Sequence, residues 1–227
     1  MNYCNGFMNM AERISGILWD NDGVLVDTEQ FFFQANRDLF AQFGIELTEQ
    51  HFFDWYLTDN CGAWHLLPDL TPQQIHQYRL QRDQFYTRYL QSNQQLAIEG
   101  IGELLSGLAS KVTMGIVTSS KREHFDLIHS RLDFLRHFSF VVTDDMVSSS
   151  KPSPEPYLLG LTKIALPASQ CLVIEDSPRG LQAAIAAGIP CIVLRNKMMF
   201  DFSFEGAYRV VDTVAELSHE INLLLRG

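Results

Sequence analysis

Four short stretches of this chain set carboxylate, hydroxyl or ammonium side chains at or near the ends of apolar runs. Asp20 and Asp22 end the first, in Leu18-Trp19-Asp20-Asn21-Asp22-Gly23, and Thr118, Ser119 and Ser120 end a second. Lys151 stands in Ser150-Lys151-Pro152-Ser153-Pro154, and Glu175 with Asp176 ends another apolar run. Asp144 and Asp145 follow a further one, where a carboxylate can equally cap a turn. Brought into one crevice, the acidic groups repel: two like charges ~4 Å apart cost about 4 kcal/mol at an effective dielectric of ~20. Such a crevice needs protonated carboxyls or a cation. Oxygen donors with no His or Cys beside them suit a hard ion, and Mg2+ is the usual choice where carboxylates share it with a phosphate. Lys151 adds a second positive centre. Cation, ammonium, hydroxyls and loop N–H groups together describe a pocket for the oxygens of a phosphoryl group.

The elements that would position these groups follow from periodicity. A buried strand over Ile14–Trp19 runs into the Gly23 loop. Residues from about Thr28 to Gln95 are rich in Phe, Gln, Leu and Tyr at helical spacing, with Phe31, Ala35, Leu39 and Phe43 on one stripe and another over Ile75–Leu90. Thr71-Pro72 marks a helix start, Thr as N-cap and Pro in the first turn. From Ile101 on, helix and strand alternate: helix Ile101–Leu108, strand Val112–Val117, helix Arg122–Leu135, strand Phe138–Thr143, helix Pro154–Lys163 and strand Cys171–Ile174. Helix Arg179–Ala187, strand Pro190–Leu194, strand Arg209–Val211 and helix Ala215–Leu225 complete the series. Apolar strands separated by helices predict a doubly wound parallel α/β sheet, covered on both faces, with ligands beyond the strands' carboxyl ends. That places all the polar groups above at one edge.

Residues 18–29, Leu-Trp-Asp-Asn-Asp-Gly-Val-Leu-Val-Asp-Thr-Glu, resemble the first motif of the haloacid dehalogenase-like hydrolases. Val117-Thr118-Ser119-Ser120 resembles the second, Lys151-Pro152-Ser153-Pro154 the third, and Val173-Ile174-Glu175-Asp176-Ser177-Pro178-Arg179-Gly180 the fourth, in family order. The resemblance implies a Rossmann-like α/β core, residues 1–27 and 98–227, with a small helical cap, residues 28–97, inserted after the first strand. This is the arrangement of the subgroup of β-phosphoglucomutase and phosphoglycolate phosphatase. It implies Mg2+-dependent hydrolysis of a small phosphomonoester, such as a sugar phosphate, through an aspartyl-phosphate on Asp20. Asp22 would be general acid and base, and Thr118, Ser119 and Lys151 would bind the phosphoryl group. Asp20, Asp22 (through its backbone carbonyl), Asp176 and Glu175 would hold the metal, Glu175 directly or one layer out. Asp22 argues against carbon–halogen cleavage, since true dehalogenases lack the second aspartate. Phe32 stands where β-phosphoglucomutases carry a cap His, which weighs against a phosphomutase, the alternative enzyme. The insert has no Lys for the Schiff base of a phosphonatase. A catalytically silent phosphate-binding module is the alternative from another class. Trp55–His65 resembles the cap loop that reads the leaving group.

Composition narrows the rest. Lys plus Arg is 17 against 27 for Asp plus Glu, a formal charge of -10 over 227 residues. No nucleic acid or anionic membrane partner is expected of so acidic a chain. No apolar stretch reaches the ~18 residues of a membrane span, and Met1–Ser15 lacks the basic and apolar regions of a signal peptide, so a cytoplasmic protein is expected. Met8 and Met10 stand as alternative starts. Cys4, Cys61, Cys171 and Cys191 form no CxxC pair and fit a reduced thiol inventory. His51, His65 and His76 read as ordinary surface or core residues. Oligomeric state has no readable signal, and a monomer fits.

Overall fold

The structure, a computed structural model, describes residues 13–59, 61–196, 199 and 202–226. Cys4, Met8 and Met10 lie outside the described residues. Six parallel strands form one sheet: β1 (Gly16–Trp19), β2 (Thr113–Val117), β3 (Phe140–Val142), β4 (Cys171–Glu175), β5 (Cys191–Leu194) and β6 (Arg209–Val211). Their spatial order is β3-β2-β1-β4-β5-β6, every neighbouring pair parallel. The sequence runs outward from β1 through β2 to β3, then returns to add β4 on the other side. The order reverses between β1 and β4, and there the carboxyl ends of the strands leave a crevice.

Strand periodicity divides the core. Ile17, Trp19, Ile116, Ile174 and Ile192 pack on one face, and Leu18, Val117, Val173 and Val193 on the other. Both faces are apolar because helices cover both: α4 (Ile101–Leu108), α5 (Arg122–His129), α6 (Glu155–Ile164), α7 (Pro178–Ala186) and α8 (Val214–Arg226). Gly115 and Gly160 make room for this packing, since a Cβ on Gly115 would lie 2.2 Å from Phe140 Cζ and one on Gly160 3.0 Å from Val117 Cγ2.

Between β1 and β2 the chain inserts α1 (Glu29–Ala41), α2 (Glu49–Phe52) and α3 (Pro72–Ser92). Phe31, Ala35 and Leu39 are buried as their stripe predicts; Phe43 lies beyond the end of α1 and is half-buried. Thr71 caps α3 as expected, in a reciprocal box with Gln74. The insert leaves and rejoins the sheet at one place, where Val26 bridges Ala97, Asp27 N donates to Leu96 O and Ile98 N donates to Leu25 O.

Two elements differ from expectation. The helix expected over Arg122–Leu135 ends at His129: Ser130 Oγ turns back onto Leu127 O at 2.7 Å, and a 3-10 turn follows at Leu135–His137. The stretch Trp55–His65 is neither a plain loop nor an α-helix. A π-helical turn spans Phe53–Thr58 and a 3-10 turn Ala63–Leu66, joined through Gly62 at φ +66°. Among the described residues no helix is long and apolar enough to cross a membrane.

Candidate active site

The crevice at the carboxyl ends opens into a cleft of about 520 Å³ lined by both the sheet edge and the helical insert. Parallel register dictates its floor. Trp19 pairs with Ile174 and Ile116, so the residues just beyond, Asp20, Glu175 and Asp176, and Thr118, come level.

Lys151 is the centre of this floor. It is 2% exposed, and its Nζ lies 2.5 Å from Asp20 Oδ1, 2.6 Å from Glu175 Oε1 and 2.9 Å from Val117 O. Burial works against its charge, yet Asp20 and Glu175 hold the ammonium above its ordinary value. Glu175 is fully partnered: Oε1 also accepts from Tyr157 Oη at 2.7 Å, and Oε2 accepts from Asp176 N, Ser177 N and Ser177 Oγ at 3.1–3.3 Å. Against the cost of burial, Lys151 foremost keeps Glu175 below the usual carboxylate range. Gly180 is required here, since a Cβ would fall 1.9 Å from Glu175 Cδ. The cap of α7 is Ser177, whose Oγ accepts from Gly180 N at 3.1 Å, rather than Asp176.

Asp20, Glu175 and Asp176 each offer an oxygen within 4.8 Å of the others, all three buried. One ammonium cannot balance three carboxylates. Burial first, then Glu175, pushes Asp20 up to about 7 despite Lys151; burial, Glu29, Glu175 and Asp20 push Asp176 well above its ordinary value. A hard divalent cation fits this donor set and would reverse both shifts. Because Glu175 already has its partners, Asp20 and Asp176 are the better direct ligands. Asn196 Nδ2 orients Asp176 Oδ2 at 3.0 Å, and Gly23, at φ +79°, leaves the room that Asp176 occupies.

Asp22 lies apart from those three. Its Oδ2 accepts from Ser120 Oγ at 2.7 Å, Asn21 Nδ2 at 3.2 Å and Thr118 Oγ1 at 3.4 Å; its Oδ1 accepts from Thr28 Oγ1 and, at 3.4 Å, from Tyr86 Oη on α3. An aspartate two residues from Asp20 is thus held by hydroxyls of both sheet edge and insert. Ser119 lines the cleft with a buried Oγ that has no hydrogen-bond partner among the described residues. Asp144 lines the cleft too but is held by Ser150 Oγ, while Asp145 accepts from Arg122 N at 3.3 Å at the start of α5; neither joins the carboxylate cluster.

The wall from the insert carries Phe32, Tyr56, Trp64, His76, Arg79, Arg82 and Tyr86. Phe32 packs edge-on against Phe52, Tyr56 and Tyr86, with the Arg82 guanidinium 4.7 Å from its ring centroid. Asp83 ties insert to core, accepting from Arg82 Nη2 and Lys121 Nζ, both at 2.6 Å. His51 stacks on Trp55 and completes the capping box that Thr48 begins at α2, and His65 meets Trp55 edge-on. Glu29 closes the first motif with no spacing that marks it as a site residue. It lines the cleft, and burial followed by Asp22 raises it to about 8 against the pull of Arg179. Tyr157 is not marked by spacing either, because it sits on the apolar stripe of α6, where a Tyr reads as core.

The family profile of the haloacid dehalogenase-like hydrolases matches residues 17–194. The chain is a haloacid dehalogenase-like hydrolase. Among curated relatives of this hydrolase is the phosphorylated carbohydrates phosphatase of Thermotoga maritima, 29% identical over 187 residues, 78% of this chain and 82% of the relative. Another is the fructose-1-phosphate phosphatase YqaB of Escherichia coli, 25% identical over 191 residues, 82% of this chain and 99% of YqaB. The crystal structure of CbbY from Rhodobacter sphaeroides in complex with phosphate shares the fold of this hydrolase, with a TM-score of 0.78 and 24% identity, covering 90% of this chain and 96% of that one.

Proposed function

We propose that this hydrolase is a Mg2+-dependent phosphatase that cleaves a small phosphomonoester, a phosphorylated carbohydrate being the favoured class. The carrying observation is the joint geometry of a buried Lys151–Asp20 pair, a carboxylate cluster able to hold a cation, and a second aspartate, Asp22, set among hydroxyls. The relatives that act on phosphorylated sugars support the substrate class.

In this reading Asp20 attacks phosphorus in line as the ester P–O bond breaks, and Asp22 gives its proton to the leaving oxygen. Water then attacks the aspartyl-phosphate; Asp22 takes back a proton, the bond to Asp20 breaks, and inorganic phosphate leaves. Lys151 orients Asp20 and, with Thr118 and Ser119, faces the phosphoryl oxygens. Asp20 and Asp176, with the Asp22 backbone carbonyl and Glu175 behind them, would hold Mg2+, which when bound neutralises charge on the phosphoryl group. Residues 28–97 act as a cap on a core of residues 1–27 and 98–227, a division supported by the paired crossings at Val26 and Ala97. Cap closure excludes water from the first step. Phe32, packed among aromatic rings, offers no group to ionise a second hydroxyl, which favours hydrolysis over phosphoryl return.

The test is inorganic phosphate release from a panel of phosphomonoesters, with and without Mg2+, beside Asp20→Asn. Metal-dependent release that vanishes in the variant is expected. Release undiminished in Asp20→Asn, or turnover only with an added bisphosphate and little free phosphate, would overturn the reading.

A further inference from the structure

Asn21 stands between the two aspartates and is fully buried, although a buried amide is costly unless its groups are paired. Its Oδ1 lies 2.7 Å from Nε2 of His129, the last residue of α5, and its Nδ2 lies 3.2 Å from Asp22 Oδ2. His129 is 4% exposed and packs against Phe125, ring centroids 4.3 Å apart. Neither Asn21 nor His129 is among the residues that line the cleft.

With Asp22 ionised, the form that takes a proton from water in the second step, proton placement along this row has one consistent solution. A carboxylate only accepts, so Asn21 turns its N–H toward Asp22 and its carbonyl toward the imidazole, which must donate from Nε2. The other ring nitrogen, Nδ1, is buried and has no hydrogen-bond partner among the described residues, so a single ring proton is satisfied only at Nε2. Burial pushes His129 down to about 4, against the charges of Asp22 and Asp126, which keeps the ring neutral at ordinary pH. The remaining donors to Asp22 are hydroxyls that rotate to follow it. Asn21 instead offers a planar amide whose other end is clamped.

We propose that His129 is a positioning residue of the reaction: it locks the Asn21 amide, and through it the Asp22 carboxyl, in the orientation that delivers a proton to the leaving oxygen. This rests on Asp22 acting as general acid and base.

The experiment compares kcat and KM for nitrophenyl phosphate, whose leaving group departs unaided, with those for the sugar phosphate turned over fastest in the panel. The variants are His129→Leu, His129→Gln, Asn21→Leu and Asp22→Asn. In His129→Leu, kcat/KM for the sugar phosphate should fall about tenfold, the scale of one lost hydrogen bond, with kcat/KM for nitrophenyl phosphate within about twofold, because kcat/KM reports formation of the aspartyl-phosphate and not the hydrolysis step that both substrates share. His129→Gln, which restores an N–H donor, should recover most of the loss. Equal losses on both substrates in His129→Leu, or no recovery in His129→Gln, while Asp22→Asn remains selective, would overturn the proposal. Equal losses in Asp22→Asn itself would instead remove the acid–base reading and the proposal with it. Should His129→Leu not fold, Asn21→Leu must show the same selective loss. Nitrogen-15 NMR of the wild-type protein gives an answer independent of activity: His129 must carry its proton on Nε2, and a proton on Nδ1 alone contradicts the proposal.

Discussion

Lys151→Met deletes the only ammonium that contacts Asp20 and Glu175 among the described residues while keeping the length and much of the bulk of the side chain. The wild-type Nζ sits 2.5 Å from one carboxylate and 2.6 Å from the other, with both carboxylates and the lysine out of solvent. Removing one partner from a buried ion pair leaves an uncompensated charge and costs about 3–5 kcal/mol. In a domain of this size each kcal/mol lowers Tm by about 2–4 °C, so the metal-free variant should melt about 6–20 °C below wild type near pH 7.5. Circular dichroism melts with and without Mg2+ read this directly. The variant's site is more acidic by one charge, so Mg2+ should raise its Tm more than it raises that of wild type. Lowering the pH should also narrow the gap, because protonation relieves the same pair of carboxylates. A fall of less than about 3 °C, with equal Mg2+ effects in both proteins, would refute the electrostatic account.

Gly23→Ala should weaken Mg2+ binding by about tenfold or more and destabilise the fold by about 1–3 kcal/mol, since its Cβ would lie 1.9 Å from Asp176 Oδ2 on a backbone at φ +79°; titration calorimetry and melts check both. In metal-free protein Asp20 stands at about 7 against an ordinary 3.8. A carboxyl raised by folding contributes stability below its unfolded value and loses it as pH climbs toward the folded value. Metal-free Tm should therefore carry a downward contribution between those limits. The Mg2+-induced rise should grow from pH 5 to pH 8, as the ion no longer competes with a proton; a Mg2+ effect that is flat with pH would contradict it.

The sheet was legible because fully apolar strands such as Cys171–Glu175 alternate with amphipathic helices, a pattern that parallel packing requires. Parallel strands bring their carboxyl ends level, so Asp20, Thr118, Glu175 and Asp176 could be assembled from the sequence, and Lys151 with them. What could not be read depends on contacts that no period encodes. Tyr86 reaches Asp22 across 64 residues, Tyr157 sits on an apolar stripe, and His129 ends its helix to meet Asn21. The Trp55–His65 stretch escaped for another reason: its turn geometry rests on a Gly62 with positive φ and on aromatic packing of Trp64 against Phe40, neither of which leaves a regular spacing.

The central claim, a phosphoryl group carried on Asp20, is tested most directly by trapping it. Enzyme turning over its best substrate with Mg2+ is quenched in acid, reduced with borohydride, which converts an acyl phosphate to the alcohol, and digested for mass spectrometry. Homoserine is expected at position 20, and none in the metal-free control. An unmodified Asp20 during rapid phosphate release, or reduction at Asp22 or Asp176 instead, would contradict it.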